Sequence, residues 1–522
     1  METQGGVKST PEFAIAGSRQ RDVGVINTDR CAFDLDNEKP PRPKDKFERQ
    51  RALRNWMHLN YLNSTKMAEQ DTVRVLIAGA GIAGLATAIS LTRISSLSNL
   101  DIQLYEQAPE LVEIGASIAL SPNGMRALEK LGVSNALEDE VGFRGPSGIP
   151  QIFRHWKTDQ VISVDTHTNV PNPRHHTTRF HRGHLHAALL KHVPEQSIHL
   201  GKKISGAEAS KDGVSLHFED GASAHGDILI GADGIKSAVR QSFLPDYKLR
   251  FSGKVFMRST FDASLVEGKI PTLPADSMHW WGPRDNFFAS RLGKNQYTTV
   301  GAYDDPRATE EVEKSIAWNQ PGAIEFLRGR YKDWNPTVRA LTELTPYTKL
   351  YPNFAGDPLP TWVFASRVTL VGDAAHAHGG AFAAGGSLAL DDSFALGLAF
   401  KHVFGASSIK SFTASNIERA LGLYSATRKP HTNRLLQIVH QQIDKKPSNH
   451  STAEEEDAGL VTRMKGRPNT EWLSEHDVEA AFEATVQQLE LNEQLNASKS
   501  PIKIVDLNGQ RESGIQFRGN KL

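Results

Sequence analysis

The chain has 522 residues, enough for two or three domains, and its hydrophobic fraction of 39% can build ordinary cores. Lysine plus arginine and aspartate plus glutamate both count 60, so a net charge of zero gives no reason to expect attraction to nucleic acid or to an anionic membrane. The balanced charge favours small molecules as partners. The single Cys31 excludes an internal disulfide framework, which favours a reducing compartment, the cytoplasm. The longest apolar run, residues 75–91, is broken by three glycines, so no transmembrane segment is predicted.

Residues 1–66 differ in composition from the rest of the chain. Residues 37–55 contain seven basic and three acidic side chains, two adjacent prolines and few apolar groups. Such a segment cannot bury enough apolar surface to fold alone. We therefore expect a poorly ordered N-terminal extension that contacts neither cofactor nor substrate.

A strand, a glycine turn and a helix follow in order. The apolar strand at 73–78 leads into Gly79, Gly81 and Gly84, and a helix-forming stretch comes next. This spacing allows a tight turn, close approach of the backbone to a pyrophosphate, and close packing of helix on strand. The second strand ends in Glu106, 22 residues after Gly84, where a ribose-binding carboxylate is needed. The pattern predicts a dinucleotide site.

Two later strand ends repeat this arrangement. Residues 227–241 form an apolar strand that opens onto Asp233 and Gly234, and residues 368–378 form another with Gly372 and Asp373 at its end. Three such junctions in one chain indicate several strands that converge on one extended ligand.

These three segments resemble, in order and spacing, the fingerprints of the single-component FAD-dependent aromatic hydroxylases, and most closely the salicylate hydroxylase-type monooxygenases. The resemblance implies an α/β fold: a Rossmann-type FAD-binding domain at 67–250 and 366–400, an antiparallel β-sheet substrate domain at 251–365, and a C-terminal helical region at 401–522. Within that last region an acidic linker is expected near 447–460.

The resemblance also implies cofactor contacts, and it assigns no metal site. The positions that match the family's FAD-contacting residues are Gly79, Gly81 and Gly84 at the diphosphate, Glu106 at the ribose, Ala119 and Arg182 along the cofactor, Asp233 and Gly234 for FAD and nicotinamide, Asp373 at the ribityl chain, and Gly386 on the flavin loop. For His376 the alternative of a helix cap stays open.

The flavin loop departs from the family pattern. The family's proline and glutamine are missing from the stretch that holds Gly379 and Gly380, and its acidic pair appears as Asp391 and Asp392. Because glycine adds backbone conformations, we expect more freedom in this loop.

Residues 251–357 show strand-like alternation with many aromatic side chains, which indicates an antiparallel sheet that roofs an aromatic substrate. Arg258 matches an arginine that steadies a phenolate in dearomatising relatives, and a salt-bridged strand residue is the alternative. The tyrosine that partners this arginine in those relatives is replaced by Ser290. Arg291 and His279 are secondary candidates, and at most one of the adjacent Trp280 and Trp281 lines the pocket.

The implied reaction is hydroxylation of a salicylate-like or polyketide-type phenol with NAD(P)H and O2 through a flavin hydroperoxide. Two alternatives stay open: an FAD-binding oxidoreductase of this fold that does not insert oxygen, and an FAD-binding protein without turnover. A monomer or homodimer is expected. The final Asn520-Lys521-Leu522 resembles the peroxisomal address Ser-Lys-Leu with its first residue changed.

Overall fold

The computed structural model describes residues 72–111, 116–405, 412–444 and 452–499. The N-terminal extension and the three C-terminal residues lie outside the described residues, so the expectations for them stay predictions. Within the described ranges the strands are β1 (Val73–Ala78), β2 (Leu100–Tyr105), β3 (Ser117–Leu120), β4 (Gly142–Phe143), β5 (Gln151–His155), β6 (Val161–Asp165), β7 (Thr178–His181), β8 (Ile198–His199), β9 (Ile204–Ala209), β10 (Val214–Phe218), β11 (Ser223–Gly226), β12 (Ile228–Gly231), β13 (Leu249–Asp262), β14 (Met278–Trp281), β15 (Asn286–Leu292), β16 (Gln296–Asp304), β17 (Gln320–Gly322), β18 (Thr348–Gly356), β19 (Val363–Phe364) and β20 (Val368–Leu370).

The helices of the same ranges are α1 (Ile82–Arg93), α2 (Pro122–Lys130), α3 (Arg182–Leu190), α4 (Ala238–Phe243), α5 (Thr309–Ser315), α6 (Ile324–Tyr331), α7 (Pro336–Leu344), α8 (Gly385–Phe404), α9 (Ala414–Ile443), α10 (Ala453–Lys465), α11 (Glu471–Ser474) and α12 (Val478–Lys499). Among these helices none combines the length with the apolar character that a membrane span needs.

A six-stranded sheet in the order β19-β20-β12-β1-β2-β8 forms the FAD-binding part. The pairs that join β20, β12, β1, β2 and β8 are parallel. Five of the six residues of β1 are buried, as a strand covered on both faces requires. Helices α1 and α8 supply much of the covering core, with side chains such as Leu85 and Leu396 fully buried. This confirms the predicted Rossmann-type arrangement.

A second sheet of eight strands has the order β17-β18-β13-β16-β15-β14-β5-β6. Its pairs are antiparallel except β5 with β14, which confirms the expected antiparallel character. Strands β5 and β6 come from residues 151–165, so the sheet extends beyond the boundaries 251–365 expected from the sequence. These two strands are only five residues long, and their pairing with β14 across more than a hundred residues gives no local sequence signal.

A third sheet is small and has the order β3-β7-β4. It carries Ala119 on β3 and leads directly into α3, which begins at Arg182. The Thr298 hydroxyl of β16 lies 3.1 Å from the Ser117 hydroxyl of β3 and donates to it. The small sheet therefore ties the FAD-binding part to the eight-stranded sheet.

The C-terminal region is helical, as expected, but the acidic stretch is only partly a linker. Helix α10 begins at Ala453, within the segment 447–460 that the sequence suggested as a linker. The Thr452 side chain accepts a hydrogen bond from the N–H of Glu455, and three glutamates occupy the first turn. Negative charge at a helix N-terminus is stabilising, so the acidic run starts a helix here.

Candidate active site

The glycine turn between β1 and α1 forms a cradle. Gly79 has φ of +97°, and a Cβ on Gly84 would lie 2.0 Å from the carbonyl oxygen of Gly79, so neither position tolerates a side chain. A Cβ on Gly81, by contrast, would meet no atom within 4 Å. The backbone at Gly81 is thus bare and faces open space at a helix N-terminus, which fits the diphosphate of FAD.

The carboxylate of Glu106 lies beside this turn. It accepts hydrogen bonds from the N–H of Ala80 at 2.9 Å and from the N–H of Ala108 at 3.0 Å. The His186 ring donates from the other side to the Ala80 carbonyl, at 2.8 Å. These bonds fix the carboxylate at the end of β2, and the predicted contact with the ribose stays a prediction.

Asp233 and Gly234 lie at the end of β12, directly against the glycine turn. A Cβ on Gly79 would come within 3.2 Å of the Asp233 backbone. The Asp233 carboxylate accepts from the Ser237 hydroxyl at 2.5 Å and from the Val239 N–H at 3.0 Å. It therefore holds the start of α4, and burial raises its pKa. Gly234 has φ of +76°. The role of both residues toward FAD and nicotinamide stays a prediction.

Asp373 and Gly386 lie at the two ends of the segment that follows β20. The Asp373 side chain is exposed at the end of the strand, where it is available to a ligand. Gly386 is buried in the first turn of α8, and a Cβ there would come within 2.8 Å of Ile118 and of Leu120 on β3. The missing side chain lets α8 pack closely on the strand that carries Ala119. A direct contact of Asp373, Gly386 or Ala119 with FAD stays a prediction.

The loop that precedes α8 packs on the eight-stranded sheet. A Cβ on Gly379 would lie 2.5 Å from the Asn353 side chain, and one on Gly380 would lie 2.9 Å from the Phe256 ring. These glycines therefore permit close approach to the sheet. Phe382 and Ala383 have φ of 55° and 52°, a left-handed conformation that non-glycine residues rarely adopt.

One face of the eight-stranded sheet is only half-buried, and we call it the open face. Its side chains alternate with core residues such as Met257, Trp280 and Phe287, which are nearly or fully buried. The open face is formed by Phe256, Arg258, His279, Trp281, Phe288 and Val300. Strand register places Arg258, Val300, Phe288 and His279 in one row across four strands. Because the glycine loop rests on Phe256, this face is turned toward the FAD-binding part.

Arg258 projects from β13 onto the open face. Its guanidinium carbon lies 5.3 Å from the ring centroids of both Phe256 and Tyr351. Its Nε is buried and has no hydrogen-bond partner among the described residues, and no described carboxylate lies within ion-pair distance. Burial and the neighbouring charge of Arg182 lower the pKa of Arg258. The structure thus brings together two arginines that the sequence had assigned to substrate and to FAD.

The secondary candidates Arg291 and His279 lie on opposite faces of the eight-stranded sheet. Arg291 is exposed and ion-paired with Glu267, so its prediction is wrong: on β15 it points away from the open face. His279 lies on the open face, and burial lowers its pKa to about 3. Ser290 is buried and lies 2.8 Å from the Ser277 hydroxyl.

His376, His378 and Arg179 have surroundings that the sequence did not reveal. His376 pairs with the Asp392 carboxylate, so the helix-cap alternative is not what the structure shows. His378, on the same loop, is 1% exposed and has no partner at either ring nitrogen among the described residues. Arg179 of β7 stacks over Phe288 of the open face, with its guanidinium carbon 5.2 Å from the ring centroid. Residues far apart in the chain make these contacts, so only the three-dimensional fold reveals them.

The fold and the glycine cradle define a Rossmann-type nucleotide-binding protein with an attached antiparallel sheet. A family model described as an FAD binding domain matches residues 72–281. A 3-amino-4-hydroxybenzoate 2-monooxygenase of Streptomyces cremeus is 30% identical over 333 residues, which cover 62% of this chain and 78% of that protein. A salicylate hydroxylase of Pseudomonas putida is 29% identical over 430 residues, 79% of this chain and 94% of the relative. A solved salicylate hydroxylase substrate complex shares the fold, with a TM-score of 0.63, 22% identity, and coverage of 80% of this chain and 98% of that chain.

The chain belongs to the FAD-dependent aromatic monooxygenases, the family expected from its three fingerprints. It is therefore a flavoenzyme with FAD as its cofactor.

Proposed function

We propose that this monooxygenase hydroxylates a phenolic ring held against the open face, with Arg258 at the phenolate oxygen and with NAD(P)H and O2 as co-substrates. The observation that carries the proposal is the half-buried Arg258 guanidinium, which lies between two aromatic rings and pairs with no described carboxylate. Removing such a cation from water is costly unless an anion joins it. A phenolate oxygen is an anion of the required size.

The contribution of the protein is binding and electrostatics. Bound FAD, with NAD(P)H as reductant, would supply the redox chemistry that activates O2. The ring that is hydroxylated must be electron-rich. Arg258 stabilises the ionised and therefore electron-rich form of the phenol, because a guanidinium stays protonated at neutral pH. The rings of Phe256, Tyr351 and Phe288 provide apolar walls that keep water from the reacting carbon.

His279 is an uncharged polar group of the same face, with its Nε2 3.3 Å from Asn286 Oδ1. Because its pKa lies near 3, the ring is neutral at pH 7 and can share a hydrogen bond with a substrate hydroxyl without adding positive charge. Phe153 and Phe288 lie beside the ring, with centroid distances of 5.7 and 5.9 Å. We assign it to orienting the substrate.

The test is an oxygen-insertion assay on the FAD-loaded protein. NAD(P)H consumption is followed in the presence of O2 with and without salicylate and a panel of other phenols, and the product mass is then measured. Incorporation of one oxygen atom from labelled O2 into the product supports the proposal. The product is heavier than the substrate by that oxygen, or lighter when hydroxylation also expels a carboxylate as CO2. NAD(P)H consumption with every ring recovered unchanged would instead favour an oxidoreductase that does not insert oxygen, and no consumption at all would favour FAD binding without turnover.

A further inference from the structure

Helix α10 covers one end of the open face. Asp457, Leu460 and Met464 follow one another at spacings of three and four residues, so they share one side of the helix. Leu460 and Met464 are fully buried and form a hydrophobic cluster with Phe153 of β5, and Trp281 of β14 packs against the same cluster. The helix therefore lies on the sheet at β5 and β14.

Polar contacts hold the helix in this position. The Asp457 carboxylate lies 2.8 Å from the Nε2 of His155 on β5. Arg467, two residues beyond the helix, pairs with Asp165 of β6 at 3.2 Å. The guanidinium carbon of the same arginine lies 3.6 Å from the ring centroid of Phe153. Together with the apolar contacts, this leaves the Phe153 ring only 3% exposed.

Phe153 continues the row of side chains that begins at Arg258. It lies beside His279 in the register of β5 with β14, and the two rings stack with their centroids 5.7 Å apart. Its neighbour Ile152 faces the core with Met278, on the other side of the sheet. From β13 to β14 the row is half-buried, whereas at β5 it is covered. The uncovered part therefore spans three strand spacings, about 14 Å between backbones.

We propose that α10 is the end wall of the substrate site. The helix holds Phe153 in place, and this ring limits how far a substituent can extend from a phenol bound at Arg258. The substrate is then a phenol with a short substituent on the side of the ring away from its hydroxyl. This inference rests on the proposed function for the position of the phenol. Shortening a buried side chain of the wall should lengthen the site, because it leaves an apolar cavity that accepts apolar groups.

The experiment measures binding to the FAD-loaded protein through the change in flavin absorbance, without NAD(P)H. The probes are phenols with an unbranched alkyl chain opposite the hydroxyl, from 4-methylphenol to 4-hexylphenol. In an unobstructed apolar site each added methylene increases the affinity about fourfold. In the wild-type protein we expect this gain to stop within the series and to reverse. The affinity for 4-hexylphenol should lie roughly tenfold or more below that for the best-bound shorter chain, because its end meets Phe153.

A matched pair of variants assigns the limit to the helix. Leu460→Ala should make a longer chain the best-bound one and raise the affinity for 4-hexylphenol roughly tenfold, with 4-methylphenol bound as in the wild-type protein. Leu341→Ala is the control, because Leu341 of α7 is equally buried but belongs to the cluster on the other face of the sheet. It should lower the melting temperature as Leu460→Ala does and leave the preferred chain length unchanged. Met464→Ala is the second probe of the wall if Leu460→Ala does not fold.

The inference is overturned if the affinity of the wild-type protein keeps rising up to 4-hexylphenol. It is also overturned if the wall variants leave the preferred chain length unchanged, or if Leu341→Ala shifts it as far as they do. If none of these phenols binds, the inference and the proposed function both fail. A preferred length that shifts as expected, with no oxygen incorporated once NAD(P)H and O2 are added, would mean that the proposed function fails and the wall stands. Oxygen insertion without such a shift would mean the reverse.

Discussion

The Nε2 of His376 lies 2.6 Å from the carboxylate of Asp392, and both side chains are buried behind the loop that carries Asp373. The same carboxylate accepts the N–H of Gly372 at 2.9 Å and the Nε of Arg428 at 2.9 Å. Although burial alone would raise it, the charges of His376 and Arg428 lower the pKa of Asp392 to about 2. One carboxylate of α8 therefore joins the end of β20 to α9.

Removal of the Arg428 charge tests this network. Arg428→Met leaves buried carboxylates without their cation, so we expect the free energy of unfolding to fall by about 3–5 kcal/mol. FAD affinity should fall with it, because Asp392 fixes the backbone next to Asp373. Urea unfolding at a fixed FAD concentration gives the first quantity, and flavin titration the second. The control is Arg250→Met, which removes an exposed pair with Asp444 and should cost no more than about 1 kcal/mol. Equal effects of the two variants would contradict the role of Arg428 as the cation of the buried carboxylates.

The glycine cradle gives a prediction with opposite outcomes at two positions. Gly81→Val places its side chain in space that no protein atom occupies, so the variant should fold normally yet be purified without bound FAD. Gly84→Val drives a side chain into the Gly79 carbonyl and should lower the melting temperature of the protein itself. Flavin absorbance and thermal unfolding separate the two results. A yellow Gly81→Val protein with normal FAD content would show that the diphosphate lies elsewhere.

Arg258 is expected to govern coupling rather than cofactor binding. Arg258→Ala loses one charged hydrogen bond to the phenolate, worth about 1.5–3 kcal/mol, or one to two powers of ten. The variant should keep FAD and still oxidise NAD(P)H, but it should release much more peroxide per hydroxylated product. Arg291→Ala is the matched control, because Arg291 is exposed and paired with Glu267. Unchanged coupling and substrate affinity in Arg258→Ala would make Arg258 a structural strand residue.

Buried histidines predict acid sensitivity. Burial and the charge of Arg428 lower the pKa of His431 to about 2 and of His476 to about 3, whereas both titrate near 6.5 when unfolded. The unfolded chain therefore binds more protons below pH 6.5, and each histidine removes about 1.4 kcal/mol of stability per pH unit from there toward pH 4. Burial raises the pKa of Asp391 to about 7. Its contribution to the free energy of unfolding therefore has the opposite sign and decreases as the pH rises from 4 to 7.

Urea unfolding at pH 7, 6 and 5 checks the sign of this pH dependence of the free energy of unfolding. We expect stability to fall on acidification, with a smaller slope in His476→Asn. A variant slope equal to that of the wild-type protein would show that His476 is protonated in the folded state.

The left-handed backbone of the flavin loop gives a paired test. Ala383 has φ of 52°, so Ala383→Gly should relieve strain and raise the free energy of unfolding by about 1 kcal/mol. Ala381, two residues earlier, has no such conformation, so Ala381→Gly should lower it by about 0.5–1 kcal/mol. Urea unfolding measures the free energy of unfolding of the two variants. A loss of stability in both would mean that position 383 is unstrained.

Local sequence patterns were sufficient for the FAD-binding part. The glycines of the first turn are required by contacts within a few residues of each other, and Glu106 ends the strand next to that turn. Periodicity also predicted the antiparallel sheet and indicated that at most one of Trp280 and Trp281 faces the pocket. The structure puts Trp280 in the core and Trp281 on the open face.

Contacts between distant segments could not be predicted in this way. Arg179 reaches Phe288 across more than a hundred residues, and Arg428 reaches Asp392 from another helix. Strand parity decides the side on which Arg291 lies: it shares the face of Phe287 and Ala289, which is turned away from the open face.

The alternation along the large sheet separates two kinds of position. Side chains such as Met257, Trp280 and Phe287 hold the sheet to its covering helices, whereas Phe256, Val300 and Trp281 point the other way. Trp281 is an exception, because it packs with Phe153 against Leu460 and Met464 of α10. A variant library for altered selectivity is therefore best confined to positions such as Val300, which belong to none of the described hydrophobic clusters.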